Sequence, residues 1–193
     1  NKGLIAERPK KDIFSQHSNI FGVLTETLPL KNHQSVMNRV LTDTSLIQTS
    51  IYFKFYLVRA LQKAGMGEEY FNQLSPWKYM LDQGMTTFGE TDKNPRSDCH
   101  GWSATPNFDF LHTIAGIQPA SSGFKTVLIQ PNFGHLEEIK VVFPHPKGLL
   151  KMDLYKNKKG KVKGTVFMPD GENGVFYFGG KTCDLKAGKN VIK

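Results

Sequence analysis

The feature that most constrains this chain is a change of hydrophobic period near residue 118. Before it, apolar residues recur at the three- and four-residue spacing of helices; after it, they fall into short β-type runs divided by turn residues. Ile20, Phe21, Val23, Leu24 and Leu28 predict one helix over about 15–28, ended by Pro29. A short helix is expected over about 34–41. Ile51, Tyr52, Phe55, Leu57, Val58 and Leu61 then draw the broadest apolar face and predict the strongest helix, over about 45–64, closed by Gly65 and Gly67. Shorter helices are expected over 68–74 and 76–82, the second with Ser75 as N-cap and Pro76 in its first turn. Helical spacing resumes from Ser103 to about Ile114.

After Gly116 come runs at 124–129, 136–143, 149–155, 162–168 and 175–178. Pro131-Asn132, Pro144-His145-Pro146, Lys159-Gly160, Asp170-Gly171 and Gly179-Gly180 separate them, and this turn chemistry predicts an antiparallel sandwich or meander. The fold class read from the pattern is α+β, with helical hairpins first and the sandwich second. A chain of 193 residues, 39% hydrophobic, can bury a real core in one domain or two small ones. It contains no apolar run long enough to cross a bilayer, so a soluble chain with no membrane insertion is expected.

The formal charge of +8 raises the question of nucleic acid, since lysines that neutralise phosphates supply salt-sensitive affinity. Lys147, Lys151, Lys156, Lys158, Lys159, Lys161 and Lys163, however, crowd around one turn without interleaved stacking aromatics. They read as a solvated hairpin whose charges protect strand edges, and no nucleic-acid partner is expected. Cys99 and Cys183 make neither a disulfide framework nor a metal cluster, although a bridge between them stays open. Asp98, Cys99 and His100 are adjacent, and neighbours rarely converge on one tetrahedral ion, so no metal and no cofactor are expected.

Chemistry concentrates in Gly84-Met85-Thr86-Thr87-Phe88-Gly89-Glu90 and in Arg96-Ser97-Asp98-Cys99-His100-Gly101-Trp102-Ser103-Ala104, irregular backbone between helical patterns. Glu90 reads either as a working carboxylate or as half of a surface ion pair with Arg96. His100 reads either as a donor to a ligand or as a histidine satisfied by backbone carbonyls. Trp77, on a helix, reads as core, whereas Trp102 stands equally as core or as a flat face for a sugar ring. Thr86, Thr87, Arg96 and Ser97 read as residues that fix the loop's shape, and Arg96 is placed to hold Glu90 charged. His17 is assigned to hydrogen bonding between helices.

These segments, with Ser15-Gln16-His17-Ser18-Asn19, Tyr52-Phe53-Lys54-Phe55-Tyr56, Ser75-Pro76-Trp77 and Ala115-Gly116-Ile117-Gln118-Pro119, resemble the C-terminal part of the bacterial α-L-rhamnosidases of glycoside hydrolase family 78. The likeness runs from about Phe14 to about Val142 and is densest from Thr86 to Ser103. It implies that residues 1–117 supply the last helices of an (α/α)6 six-hairpin barrel and that 118–193 form the closing β-sandwich. It further implies an inverting glycosidase in which Glu90 is the general base, His100 and Trp102 contact substrate, and Arg96 and Thr87 support them. The partners implied are a rhamnose-containing glycan or glycoside and the upstream part of the same polypeptide, in a periplasmic or extracellular setting.

Two departures from the family pattern matter. Gly89 stands where a bulkier, often aromatic, residue is common. The acidic, tryptophan-containing segment that carries the family's general acid is absent from these 193 residues, and Glu26, Glu68, Glu69, Glu137 and Glu138 match nothing that replaces it. Hydrolysis of a glycosidic bond needs two carboxyl groups. This chain alone is therefore expected to be inactive, and a non-catalytic carbohydrate-binding or assembly module of the same architecture is the alternative.

Overall fold

The computed structural model describes residues 3–9 and 12–193, in two compact units, 1–106 and 107–193. The first is helical. α1 (Gln16–Leu24) begins where Ser15 adopts extended backbone and its hydroxyl accepts the Ser18 amide, which satisfies one of the free N–H groups of the first turn. α2 (His33–Thr42) follows, then α3 (Lys54–Lys63). Ile20 and Val23, Val36, Met37 and Val40, and Leu57, Ala60 and Leu61 meet in one buried cluster. Each helix thus gives its apolar stripe to a common core.

The broad apolar face over 45–64 is only partly helical, since α3 starts at Lys54. The Gln16 carboxamide explains the delay. Its oxygen accepts the Thr49 amide at 2.7 Å, its nitrogen donates to the Val40 and Gln48 oxygens, and a backbone bridge joins Ser15 to Ile47. A buried polar side chain thereby holds 46–49 extended against the helical preference of the sequence.

A 3₁₀ stretch (Gly67–Leu74) runs directly into α4 (Ser75–Asp82). The expected Ser75 cap does not form: the cap position falls on Leu74, Ser75 is already helical, and no side chain closes that end. The preceding 3₁₀ turns leave no open helix start for a serine to cap. Trp77 and Met80 of α4 pack with Ile51, and Leu74, Met85 and Phe88 close around them. The expected helix after Ser103 is broken into a 3₁₀ turn, a short α5 (Thr105–Asp109) that runs through the division between the units, and a π turn over Phe110–Ile114.

The second unit holds eight strands: β1 (Ile117–Pro119), β2 (Thr126–Ile129), β3 (Glu138–His145), β4 (Gly148–Lys156), β5 (Val162–Met168), β6 (Asn173–Phe178), β7 (Lys181–Leu185) and β8 (Gly188–Ile192). They form two four-stranded sheets, ordered β1-β2-β6-β7 and β3-β4-β5-β8. The architecture is the expected sandwich with one difference, the parallel pairing of β2 with β6. The whole β3–β5 meander lies between these two strands in sequence, so no hairpin dictates their direction. Alternation along β3, β4 and β5 buries Ile139, Leu150, Met152, Leu154, Val166 and Met168 and turns the intervening residues outward.

The lysine-rich turn is the expected hairpin, built between β4 and β5 on the Asn157 side-chain oxygen, which accepts the Lys159 and Lys161 amides. Lys147, expected around the same turn, lies instead in the turn at the other end of β4, and neither it nor Lys156 is idle. Lys156 donates to the Gly134 carbonyl oxygen at 2.5 Å and lies over the Phe133 ring, and Lys147 reaches the fully buried Glu172 carboxylate at 2.7 Å. Cys99 and Cys183 are both free and exposed, so no bridge joins them. No helix among the described residues is long and apolar enough to cross a membrane.

Candidate active-site loop

Between α4 and the Gly101–Ser103 turn the backbone carries neither helix nor strand, and its shape depends on bonds within the loop. The Glu90 amide donates to the Ser97 carbonyl at 2.9 Å and the His100 amide to the Phe88 carbonyl at 2.7 Å, so the two arms of the loop lie against each other. The Thr87 hydroxyl adds a bond to the Asp98 carbonyl. Ser103, fully buried, anchors this pair of arms. Its hydroxyl donates its single proton to the Gly89 carbonyl at 2.6 Å or to that of His100 at 2.8 Å, and its own carbonyl accepts the Trp77 indole N–H at 2.6 Å. Trp77 is therefore core, as its place on a helix predicts, and through Ser103 it ties α4 to the loop.

Glu90 is buried, with 10% of its side chain exposed. Both carboxylate oxygens accept from Arg96: Nε reaches Oε2 at 2.9 Å and Nη2 bonds Oε1. These hydrogen bonds hold the Glu90 carboxyl below its ordinary pKa against the opposing desolvation, and the charges of Arg96 and His100 add to the effect. The same bonds raise the Arg96 guanidinium. The arginine is otherwise solvated, with 86% of its side chain exposed. The pair is thus an exposed cation laid over a buried anion.

The His100 and Trp102 rings pack together at a tilt of 45°, centroids 4.5 Å apart, and the indole N–H makes a long contact of 3.5 Å to the Glu90 carbonyl. The His100 Nδ1 atom is buried and has no hydrogen-bond partner among the described residues. The loop therefore brings Glu90, Arg96, His100 and Trp102 together. Thr87 and Ser97 serve its backbone, and Thr86 is exposed. Gly89 has no room for the bulkier residue common at that place: a Cβ there would lie 2.8 Å from the Met85 methyl and 3.0 Å from the Thr91 carbonyl oxygen.

The sequence reading missed the wall that continues from Trp102. Tyr52 stands 5.5 Å from it, Tyr56 and Phe53 follow, and Phe21 of α1 closes the series at 5.4 Å from both. His17 lies against Phe53, centroids 4.4 Å apart. Lys54, in the same segment, donates to the Gln73 side chain at 3.1 Å; burial lowers its pKa, with Asp92 acting in the opposite sense. The aromatics at 52, 53, 55 and 56 were the available signal. Their spacing reads equally well as a core-facing stripe, yet Tyr52 and Phe21 are more than two-fifths exposed. Among the described residues no group of three or more His, Cys, Asp and Glu gathers as a metal site requires.

Residues 116–193 match the family model of the bacterial alpha-L-rhamnosidase C-terminal domain. No curated protein matches the chain. Among solved structures, native α-L-rhamnosidase from Aspergillus terreus is similar over 98% of this chain and 25% of its own, with 18% identity and a TM-score of 0.79. The Streptomyces avermitilis α-L-rhamnosidase complexed with L-rhamnose is similar over 96% and 22%, with 16% identity and a TM-score of 0.78. The family 78 rhamnosidase of Bacillus sp. GL1 is similar over 79% and 18%, with 23% identity and a TM-score of 0.71. The chain spans a quarter or less of the length of each of these proteins. Over residues 116–193 the chain is thus similar to the bacterial alpha-L-rhamnosidase C-terminal domain, and as a whole it carries the fold of the C-terminal portions of these α-L-rhamnosidases.

Proposed function

We propose that this chain is the C-terminal part of an inverting α-L-rhamnosidase, in which Glu90 is the general base and an acid from the upstream polypeptide completes the pair. One observation carries the reading: a carboxylate nine-tenths buried in a loop that also gathers an imidazole and an exposed indole. An inverting pair stands roughly 6.5–9.5 Å apart, with room for the water that the base activates. Glu90 would take a proton from that water while the missing acid protonates the leaving oxygen. Trp102 offers the apolar face of a pyranose a flat partner, and His100, packed against that indole, sets an imidazole beside it. Residues 1–117 would complete a six-hairpin barrel with upstream helices, and the sandwich would close it. Without the acid the 193 residues do not turn over.

A second reading draws on the same carboxylate. Arg96 engages both oxygens and lowers the basicity of Glu90, which suits a binding module better than a proton acceptor. Against it, a carboxylate keeps about four lone-pair sites, and an arginine this exposed can leave when substrate arrives. Glu90→Gln in the complete polypeptide separates the two. A base contributes on the order of 10²–10⁴-fold to rate, so kcat on an aryl rhamnoside should fall by that factor with little change in KM. Turnover within a few-fold of the parent would leave the binding module as the reading.

A further inference from the structure

We propose that the outer face of the β3-β4-β5-β8 sheet is a second saccharide site, selective for an acidic sugar chain. The registers place two cross-strand rows on this face. One runs Lys140–Asp153–Thr165–Val191 and the other Val142–Lys151–Phe167–Lys189. Between them lies an open hollow of about 470 Å³, the size of a small-ligand site.

Each chemical requirement of an acidic sugar has a counterpart here. At the hollow, Asp153 keeps its Oδ1 buried with no hydrogen-bond partner among the described residues. A carboxylate left unpaired is costly, and a ligand hydroxyl in the hollow that Asp153 lines would give it a partner. Lys151 and Lys189 are exposed, flank Phe167 across the strands, and have no ion-pair partner among the described residues. They are available to a carboxylate. Lys140 is not, because its ammonium is bound to Glu138 and lies 5.2 Å from the Tyr155 ring centroid. Phe167 and Val142, 44% and 59% exposed, present apolar surface on which the C–H face of a sugar can rest.

A bare anion would fill the lysines but repel Asp153, and a neutral sugar would leave two ammonium groups unused. A chain with both hydroxyls and carboxylates uses all of them. The choice of a saccharide rests on the glycosidase reading, whereas the selectivity for acid rests on the lysines alone. The site belongs to the unit that does not carry Glu90.

The test is calorimetric titration of the complete polypeptide, carrying Glu90→Gln to prevent turnover, with a pentasaccharide of galacturonic acid. Cellopentaose and a single-stranded oligonucleotide serve as comparators. Saturable binding is expected for the acidic sugar, with at least tenfold weaker binding of cellopentaose and of the oligonucleotide. Lys151→Ala with Lys189→Ala should weaken it about tenfold or more, and Phe167→Ala about fivefold. Asp153→Ala, which removes the acceptor together with the charge, is the discriminating variant. A site for a bare anion would bind more tightly once that charge is removed, and the saccharide site should bind more weakly. No saturation up to about 5 mM, equal binding of the oligonucleotide, or tighter binding by Asp153→Ala would each overturn the proposal. Because binding and hydrolysis are read separately, a polypeptide that binds the pentasaccharide but does not depend on Glu90 for turnover would refute the catalytic reading alone.

Discussion

Gly116 is a residue at which a single methyl group should do heavy damage, and Gly160 supplies the control that measures why. Both have left-handed backbone, φ +71° and +73°, where an alanine costs about 1–2 kcal/mol. Both substitutions also restrict the unfolded chain, which returns about 0.4–1 kcal/mol. These contributions cancel in the comparison. The surroundings do not: at Gly160 a Cβ meets nothing within 4 Å, whereas at Gly116 it would sit 1.9 Å from the Gln130 carbonyl oxygen and 2.6 Å from the Pro131 nitrogen. That carbonyl must retreat by more than 1 Å to reach ordinary contact. The move strains the adjoining bonds, Gln130 N–H to the Gly116 carbonyl at 2.9 Å and Asn132 N–H to that of Ile114 at 3.0 Å, each worth about 0.5–1.5 kcal/mol. With overpacking of about 1–3 kcal/mol, Gly116→Ala should be less stable than Gly160→Ala by about 2–4 kcal/mol. For a unit of this size that separates the melting temperatures by roughly 10 °C or more. Far-UV circular dichroism in the β-sheet region is the assay, because Trp77 and Trp102 both lie in the helical unit and their fluorescence reports on it. An insoluble Gly116→Ala beside a soluble Gly160→Ala is the extreme form of the same result. Melting temperatures within about 3 °C of each other would show that the close approach of these two backbone segments is not there.

Ser103→Ala removes a fully buried hydroxyl and leaves the Gly89 or the His100 carbonyl short of a donor, a loss of about 1–3 kcal/mol. Urea unfolding followed by tryptophan fluorescence should show an earlier midpoint with an unchanged slope; an unmoved midpoint would mean that the loop does not depend on this bond. Arg96→Met releases Glu90 from the hydrogen bonds that lower its carboxyl, so the acid limb of the kcat/KM profile of the complete polypeptide should move to higher pH. The linked stability has a definite sign: a carboxyl depressed in the folded state stabilises it above the unfolded value of about 4.3 and loses that contribution as pH falls through the lowered folded value. Arg96→Met should therefore flatten the acid side of the stability profile, and an unchanged profile would show that the pair is solvated and without consequence.

How far the sequence could be read follows from where each determinant lies along the chain. α2, β4 and β5 emerge close to their expected bounds because their apolar spacing is local and nothing distant opposes it. The late start of α3 was not legible, because the opposing bonds come from Gln16, more than thirty residues away. β7 was missed for a different reason: all its residues but Leu185 are exposed, so an edge strand leaves no alternation to read. The direction of β2 against β6 depends on a connection that passes through the other sheet, beyond any local signal.

The loop divides in the same way. That Arg96 would hold Glu90 charged was readable, since the two lie six residues apart in one short segment. The burial of Glu90 was not, because it depends on Ser103, a serine with no local mark of importance. Its hydroxyl and carbonyl bind partners 14 and 26 residues away, Gly89 and Trp77. Residue types that carry chemistry announce themselves by pattern. The groups that fix their geometry are ordinary residues selected by distant partners, so testing Glu90 without Ser103 would examine the proposed base and leave its holder untested.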